Sequence, residues 1–203
     1  EDLTAIASAS HEARALVRRV LEFQRDSSEI VSLDLGDAVD SLFALITYDL
    51  PVDVTCTKSL ESGLIIRARP SDIQRVVMNL VSNARRAVGD SGTIHVVVSR
   101  WYGEARNGIW RQAPRADTPY ALLEVRDDGC GIPADELPTI FDPFVSYTGS
   151  TGLGLATVME IVTELRGAIG IQSVVGEGTT FRLLLPLKDA DLDSEDSEGN
   201  VDA

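Results

Sequence analysis

The chain has 203 residues and a formal net charge of −14, with 44% apolar and 25% charged residues. Such a composition suits a globular protein with room for one domain and an appendage. No apolar run reaches the ~20 residues that cross a bilayer. The acidic balance argues against nucleic acid as a partner, whose phosphates need clustered Lys and Arg.

Residues 1–28 place Ile6, Ala9, Ala13, Leu16, Val17, Val20, Leu21 and Phe23 at helical spacing, opposite a charged face of Glu12, Arg14, Arg18, Arg19 and Glu22. A stripe of this kind needs a second helix from this or another chain, and we expect a homodimer through it. Glu1-Asp2-Leu3-Thr4 lacks the basic start of a signal peptide. Cys56 and Cys130 have no metal-type spacing, so a reduced cytoplasmic setting is expected. A longer parent protein could still carry a membrane anchor elsewhere.

Leu33-Asp34-Leu35 begins an extended segment, and Gly36-Asp37 open a helix through Tyr48 with Val39, Leu42, Phe43 and Ile46 inward. Residues 52–56 and 64–68 read as strands. Pro70-Ser71-Asp72 is a helix start, with Pro or Ser near the cap and an acid in the first turn; the helix runs to Val88. A strand over 94–100, a polar loop over 103–118 and a strand over 121–126 follow. Val158, Met159, Ile161, Val162 and Leu165 supply another helix, and 168–175 with 179–187 read as a closing strand pair. This order predicts an α+β fold: a two-layer sandwich of one mixed sheet with helices on one face, preceded by the long N-terminal helix. Residues 188–203 hold seven acidic residues against one lysine and read as a disordered tail or linker.

Several short stretches carry chemistry. Asp127 follows the apolar run Leu122-Leu123-Glu124-Val125, so a carboxylate stands where a strand ends and a loop opens. There it can accept a hydrogen bond from an adenine amino group. Gly129 and Gly131 let backbone come close without a Cβ. Asn79 and Asn83, four apart, share one helix face, and an amide oxygen is a hard ligand suited to Mg2+. Thr151-Gly152-Leu153-Gly154-Leu155 precedes a helix, an arrangement that offers free N–H groups to phosphates. Taken singly, Asp127-Asp128-Gly129 is an ordinary turn and Arg85-Arg86 a solvated helix face.

Read in order, Asn79-Leu80-Val81-Ser82-Asn83-Ala84, Asp127-Asp128-Gly129-Cys130-Gly131, Phe141-Asp142-Pro143-Phe144, Thr151-Gly152-Leu153-Gly154-Leu155 and Gly176-Glu177-Gly178-Thr179-Thr180-Phe181 form a set. It resembles the ATP-binding catalytic domain of bacterial sensor histidine kinases, over roughly residues 30–187. That superfamily also holds type II topoisomerases, mismatch-repair ATPases and the ninety-kilodalton heat-shock chaperones. The resemblance implies that Asp127 binds adenine, that Asn83 is the Mg2+ ligand with Asn79 in support, and that Arg86 touches phosphate. Gly129, Gly131, Tyr147, Gly152, Leu153, Gly154, Leu155 and Thr179 complete the implied nucleotide site. Phe141 and Phe144 are expected to latch a lid over the nucleotide. The lid itself, Val145-Ser146-Tyr147-Thr148-Gly149-Ser150, departs from the family in being short and without a basic residue.

The implied activity is transfer of the γ-phosphoryl group from Mg2+ and ATP to a histidine of a dimerization domain, in cis or in trans. A response regulator receiver domain is the implied downstream partner. His11-Glu12-Ala13-Arg14 resembles the start of the family's phosphoacceptor box, although Leu16 stands where many such boxes have Pro. Residues 11–25 look more like the second dimerization helix, with the acceptor helix upstream. His95 alternates within a strand and reads as structural, and no residue stands out as a general base. The alternative is a non-catalytic adaptor or phosphotransfer protein of the same fold. The Phe-Asp-Pro-Phe box argues against a topoisomerase or chaperone module, and the long leading helix against an anti-sigma type serine kinase. The expected organisation is a trailing dimerization helix (1–28), an ATP-binding domain (30–187) and an acidic tail (188–203).

Overall fold

The computed structural model describes residues 29–48, 50–103, 109–145 and 152–188. The helix expected over 1–28 with His11, the lid residues 146–151 with Tyr147, and residues 189–203 lie outside the described residues.

Strand β1 (Val31–Asp34) pairs antiparallel with β3 (Ile65–Ala68) in a small two-stranded sheet. Helix α1 (Leu35–Tyr48) starts directly after β1, so Leu35 is helical and not extended as its apolar neighbours suggest. Asp34 is the reason. Its Oδ1 accepts the amides of Gly36 at 2.8 Å and Asp37 at 3.3 Å, which otherwise have no intrahelical acceptor. Val39, Leu42 and Ile46 are buried as expected, whereas Phe43 is half-buried beneath the Lys58 ammonium, 4.5 Å from the ring centre.

The main sheet has six strands in the order β2-β4-β6-β8-β7-β5. They are β2 (Asp53–Leu60), β4 (Ser91–Trp101), β5 (Ile109–Gln112), β6 (Tyr120–Asp127), β7 (Ala168–Val174) and β8 (Gly178–Pro186). The β2–β4 pair is parallel and the other pairs are antiparallel, so the sheet is mixed. Helix α2 (Pro70–Val88) carries Pro at its start, with Arg69 in the capping position and no side-chain cap. It buries Ile73, Val76, Val77, Leu80, Val81 and Ala84. Helix α3 (Gly154–Glu164) buries Val158, Ile161 and Val162. All three helices cover the face from which Ile94, Val96, Val98, Leu123, Val125, Ile169, Ile171, Leu183 and Leu185 project. The two-layer sandwich read from the sequence is the observed architecture.

One strand was not foreseen. β5 lies inside the expected polar loop 103–118, at the sheet edge. It pairs with β7, and the Trp110 ring lies over Gly170, where a Cβ would fall 2.9 Å from the indole. On this outer face Trp101, Trp110 and Leu122 pack with buried Tyr120, Ala168 and Leu184 in a second, smaller cluster. Among the described residues no helix is long and apolar enough to cross a membrane.

Candidate nucleotide-binding site

Between α2, α3 and the sheet lies a cavity of about 330 Å3. The strand registers build its floor. Asp127, the last residue of β6, pairs with Ile94 of β4 on one side and Thr179 of β8 on the other. The residue is 4% exposed. Oδ1 accepts the Gly129 amide at 3.0 Å and the Thr179 amide at 3.2 Å, and neither bond uses Oδ2. Burial pushes the Asp127 carboxyl above its ordinary value; the two amides pull the other way, and the neighbouring Asp128 charge adds to the rise. Asp128 has a separate task. It points back to β4 and accepts the Thr93 amide at 2.7 Å.

The structure brings Asn83, Asp127, Gly131, Gly152, Gly154, Leu155 and Thr179 together on the cavity wall, as the motifs suggest. Asn79, Arg86, Gly129 and Leu153 are not lining residues. Asn79 supports the wall from behind: its amide oxygen lies against Gly154, 3.2 Å from where a Cβ would sit, at the first residue of α3. Arg86 is exposed, and its Nη1 donates to Asn83 Oδ1 at 3.3 Å. Leu153 occupies the capping position of α3 and is 42% exposed.

The glycines of the Asp127 loop are crowded by protein, not only by space for a ligand. A Cβ at Gly129 would overlap the Ala87 backbone of α2, and the following Cys130 amide bonds to the Ala87 carbonyl at 3.0 Å. Gly131 has φ 68°, and a Cβ there would overlap the Val174 carbonyl of β7. Thus these residues dock the loop onto a helix on one side and a hairpin on the other.

Thr179 is buried at 3% exposure, and its hydroxyl bonds to Ser173 Oγ at 2.9 Å while its amide holds Asp127. The two expected latch residues part company. Phe141 is buried and meets Phe181 edge to face at 6.4 Å, but Phe144 is 78% exposed with φ 66°. What ties the lid's base is backbone: the Phe144 amide donates to the Gly152 carbonyl at 3.0 Å. α3 begins beside the cavity without a side-chain cap and without an acid in its first turn. Its open N–H groups and positive dipole end therefore suit an anion.

Sequence reasoning missed part of the wall. Ala87, Ile132, Pro133, Glu136, Ile140, Val145 and Phe181 also line the cavity. Ile132 and Pro133 directly follow Gly131 and could have been inferred from that adjacency. Glu136 sits in a polar stretch that gives no such signal. Among the described residues there is no group of three or more His, Cys, Asp and Glu able to hold a metal.

The family of histidine kinase-, DNA gyrase B- and HSP90-like ATPases matches residues 68–189, and the chain belongs to that family. The sensor kinase CckA of Brucella abortus (strain 2308) is 34% identical over 194 residues, covering 91% of this chain and 20% of that protein. The sensory histidine kinase/phosphatase NtrB of Rhizobium leguminosarum bv. phaseoli is 37% identical over 175 residues, covering 83% of this chain and 45% of that protein. The mycobacterial sensor histidine kinase MprB shares the fold, with a TM-score of 0.63 at 22% identity over 78% of this chain and 97% of that chain. Within the family, then, this is a histidine kinase ATPase domain of the kind found in sensor kinases. It spans less than half the length of either relative.

Proposed function

We propose that the cavity binds ATP with Mg2+ and that the domain transfers the γ-phosphoryl group to a histidine on a dimerization domain. The observation that carries this reading is Asp127: a buried carboxylate, held through Oδ1 by two amides, with Oδ2 left over on the wall of a cavity of ligand size. In this reading Oδ2 accepts the adenine amino group, while Ile132 and Phe181 face the base. The open start of α3 at Gly154 and Leu155 receives the phosphates.

Mg2+ fits the donor set if phosphate oxygens and water complete its shell. The Asn83 amide oxygen is the protein ligand, and Arg86, tethered to Asn83, brings a guanidinium to that end of the site. When bound, the metal neutralises charge on the phosphates. The chain's own residues bind, orient and screen the nucleotide; phosphoryl transfer needs little more than positioning and charge neutralisation. A receiver domain accepts the phosphoryl group next, and the residues before 29 supply a dimer contact.

Calorimetry with Mg2+ and ATP tests the reading on the full chain, Asn83→Ala and Asp127→Asn. We expect a dissociation constant in the tens to hundreds of micromolar, roughly −5 to −6 kcal/mol. Each variant should bind at least about tenfold more weakly. No binding by the parent chain at millimolar ATP would sink it. Transfer is then read with γ-labelled ATP and a supplied dimerization domain; label on histidine is the expected product.

A further inference from the structure

We propose that Glu136 recognises the sugar of the bound nucleotide: its carboxylate accepts a hydrogen bond from a ribose hydroxyl and selects nucleotides that carry this hydroxyl over analogues that lack it. The inference rests on the nucleotide reading above and extends it to a residue that none of the sequence motifs contains.

Glu136 is half-buried and lines the cavity. Its backbone is held on both sides by consecutive turns. Its amide donates to the Pro133 carbonyl at 3.0 Å, and its carbonyl accepts the Thr139 amide at 3.0 Å and the Thr139 hydroxyl at 3.1 Å. Among the described residues its side chain makes no hydrogen bond or ion pair, so a carboxylate on a fixed stretch of backbone keeps its acceptors unused. The same stretch of chain gives the wall Ile132, Pro133 and Ile140, all apolar. A ligand that fills this part of the cavity covers the carboxylate from water and must offer it a donor.

ATP offers few donors. The triphosphate and the ring nitrogens of adenine only accept, which leaves the 6-amino group and the two ribose hydroxyls. The amino group is matched by Asp127 at the end of β6. The triphosphate belongs at the start of α3 with Asn83, where a second carboxylate would repel it. The hydroxyls are the remaining donors of ATP for Glu136. Discrimination follows because an analogue lacking the hydroxyl leaves the carboxylate unpaired.

The experiment compares ATP, 2′-deoxy-ATP and 3′-deoxy-ATP by calorimetry, with and without Mg2+, on the full chain, Glu136→Gln and Glu136→Ala. The parent should bind at least one deoxy analogue about 5- to 20-fold more weakly than ATP, the size of one hydrogen bond to a charged, partly solvated acceptor. Glu136→Ala should bind ATP as weakly as the parent binds that analogue, with the discrimination gone; Glu136→Gln should fall between. These variants should unfold with the parent, because the side chain holds nothing else in place. Equal affinity of the parent for all three nucleotides overturns the proposal. So does a Glu136→Ala loss that is the same for ATP and both analogues, or one that disappears without Mg2+ and so belongs to the metal. A parent that binds no ATP overturns the nucleotide reading itself, and this assignment with it.

Discussion

Asp127 and Thr179 stand opposite each other in the β6–β8 register, and the Thr179 amide donates to Asp127 Oδ1 at 3.2 Å. The Gly129 amide reaches the same oxygen from the loop that follows. One carboxylate oxygen thus joins a neighbouring strand to a turn. Two fixed donors set the orientation of the carboxylate, which leaves the opposite oxygen aimed without further ordering cost when a ligand arrives.

That geometry separates binding from stability. Asn at 127 keeps an acceptor for both amides but removes a buried charge. Because burial raises the Asp127 pKa, the folded state holds this proton more tightly than the unfolded chain. Stability therefore falls as pH climbs from the ordinary value of 3.8 through the raised folded value, and is level above it. Asp127→Asn should unfold at equal or higher urea than the parent at pH 7, with the gap closing towards pH 4, while losing ATP. Parallel urea-against-pH profiles for the two proteins would refute the link.

Gly131 and Gly176 share a left-handed backbone but not the same surroundings. Gly176 has φ 81° and open space where a Cβ would go, whereas at Gly131, with φ 68°, that space belongs to Val174. Gly176→Ala should cost about 1–2 kcal/mol, the strain of the backbone alone. Gly131→Ala adds steric overlap with backbone and should cost at least about twice as much. Urea midpoints of the two variants, compared at constant slope, decide it.

Truncating the two phenylalanines before the lid should have unequal consequences. Phe141→Ala empties a buried site against Phe181 and should cost about 3–5 kcal/mol. Phe144, 78% exposed, should change stability by less than about 0.5 kcal/mol when replaced by Ala. Denaturant unfolding of both variants checks the contrast; similar losses would place Phe144 in the core after all.

The two cysteines should react at different rates. Burial pushes the half-buried Cys56 thiol up to about 11, so almost no thiolate exists at neutral pH. Cys130 is exposed and lies on the cavity wall. Iodoacetamide at pH 7.5 should therefore modify Cys130 at least about tenfold faster than Cys56, and saturating ATP should slow only Cys130. Mass spectrometry of the two peptides gives both rates. ATP protection of Cys56 instead, or of neither, would contradict the placement of the cavity.

Much of the fold is legible in contiguous residues. α2 announces itself by Pro70, an acid in the first turn and an apolar stripe that ends at Val88. β6 and β8 are apolar runs bounded by turn residues. These signals work because helix and strand periodicities are local properties. The same holds for the identity of the candidate site: Asp127, Asn83 and the glycines around 152–154 are recognisable as types at spacings. Where the reading stopped short, the deciding contact was either distant in the chain or a side-chain bond that periodicity does not reveal. β5 has only four residues, too few for a periodic signal, and its place depends on Gly170 leaving room beneath Trp110. Leu35 reads as strand until Asp34 is seen capping the helix that begins there.

The sequence by itself determined the class of the chain, through the ordered motifs, and the layering of its elements, since periodicity and motif spacing are carried by neighbours along the chain. Only the tertiary structure decided which residues meet. That Thr179 holds Asp127, that Val174 rather than a ligand crowds Gly131, that Phe144 leaves the core while Phe141 stays, and that Glu136 reaches the cavity at all depend on strand register and loop docking. Those are pairings between distant segments, selected by burial of the whole core and not by any local preference.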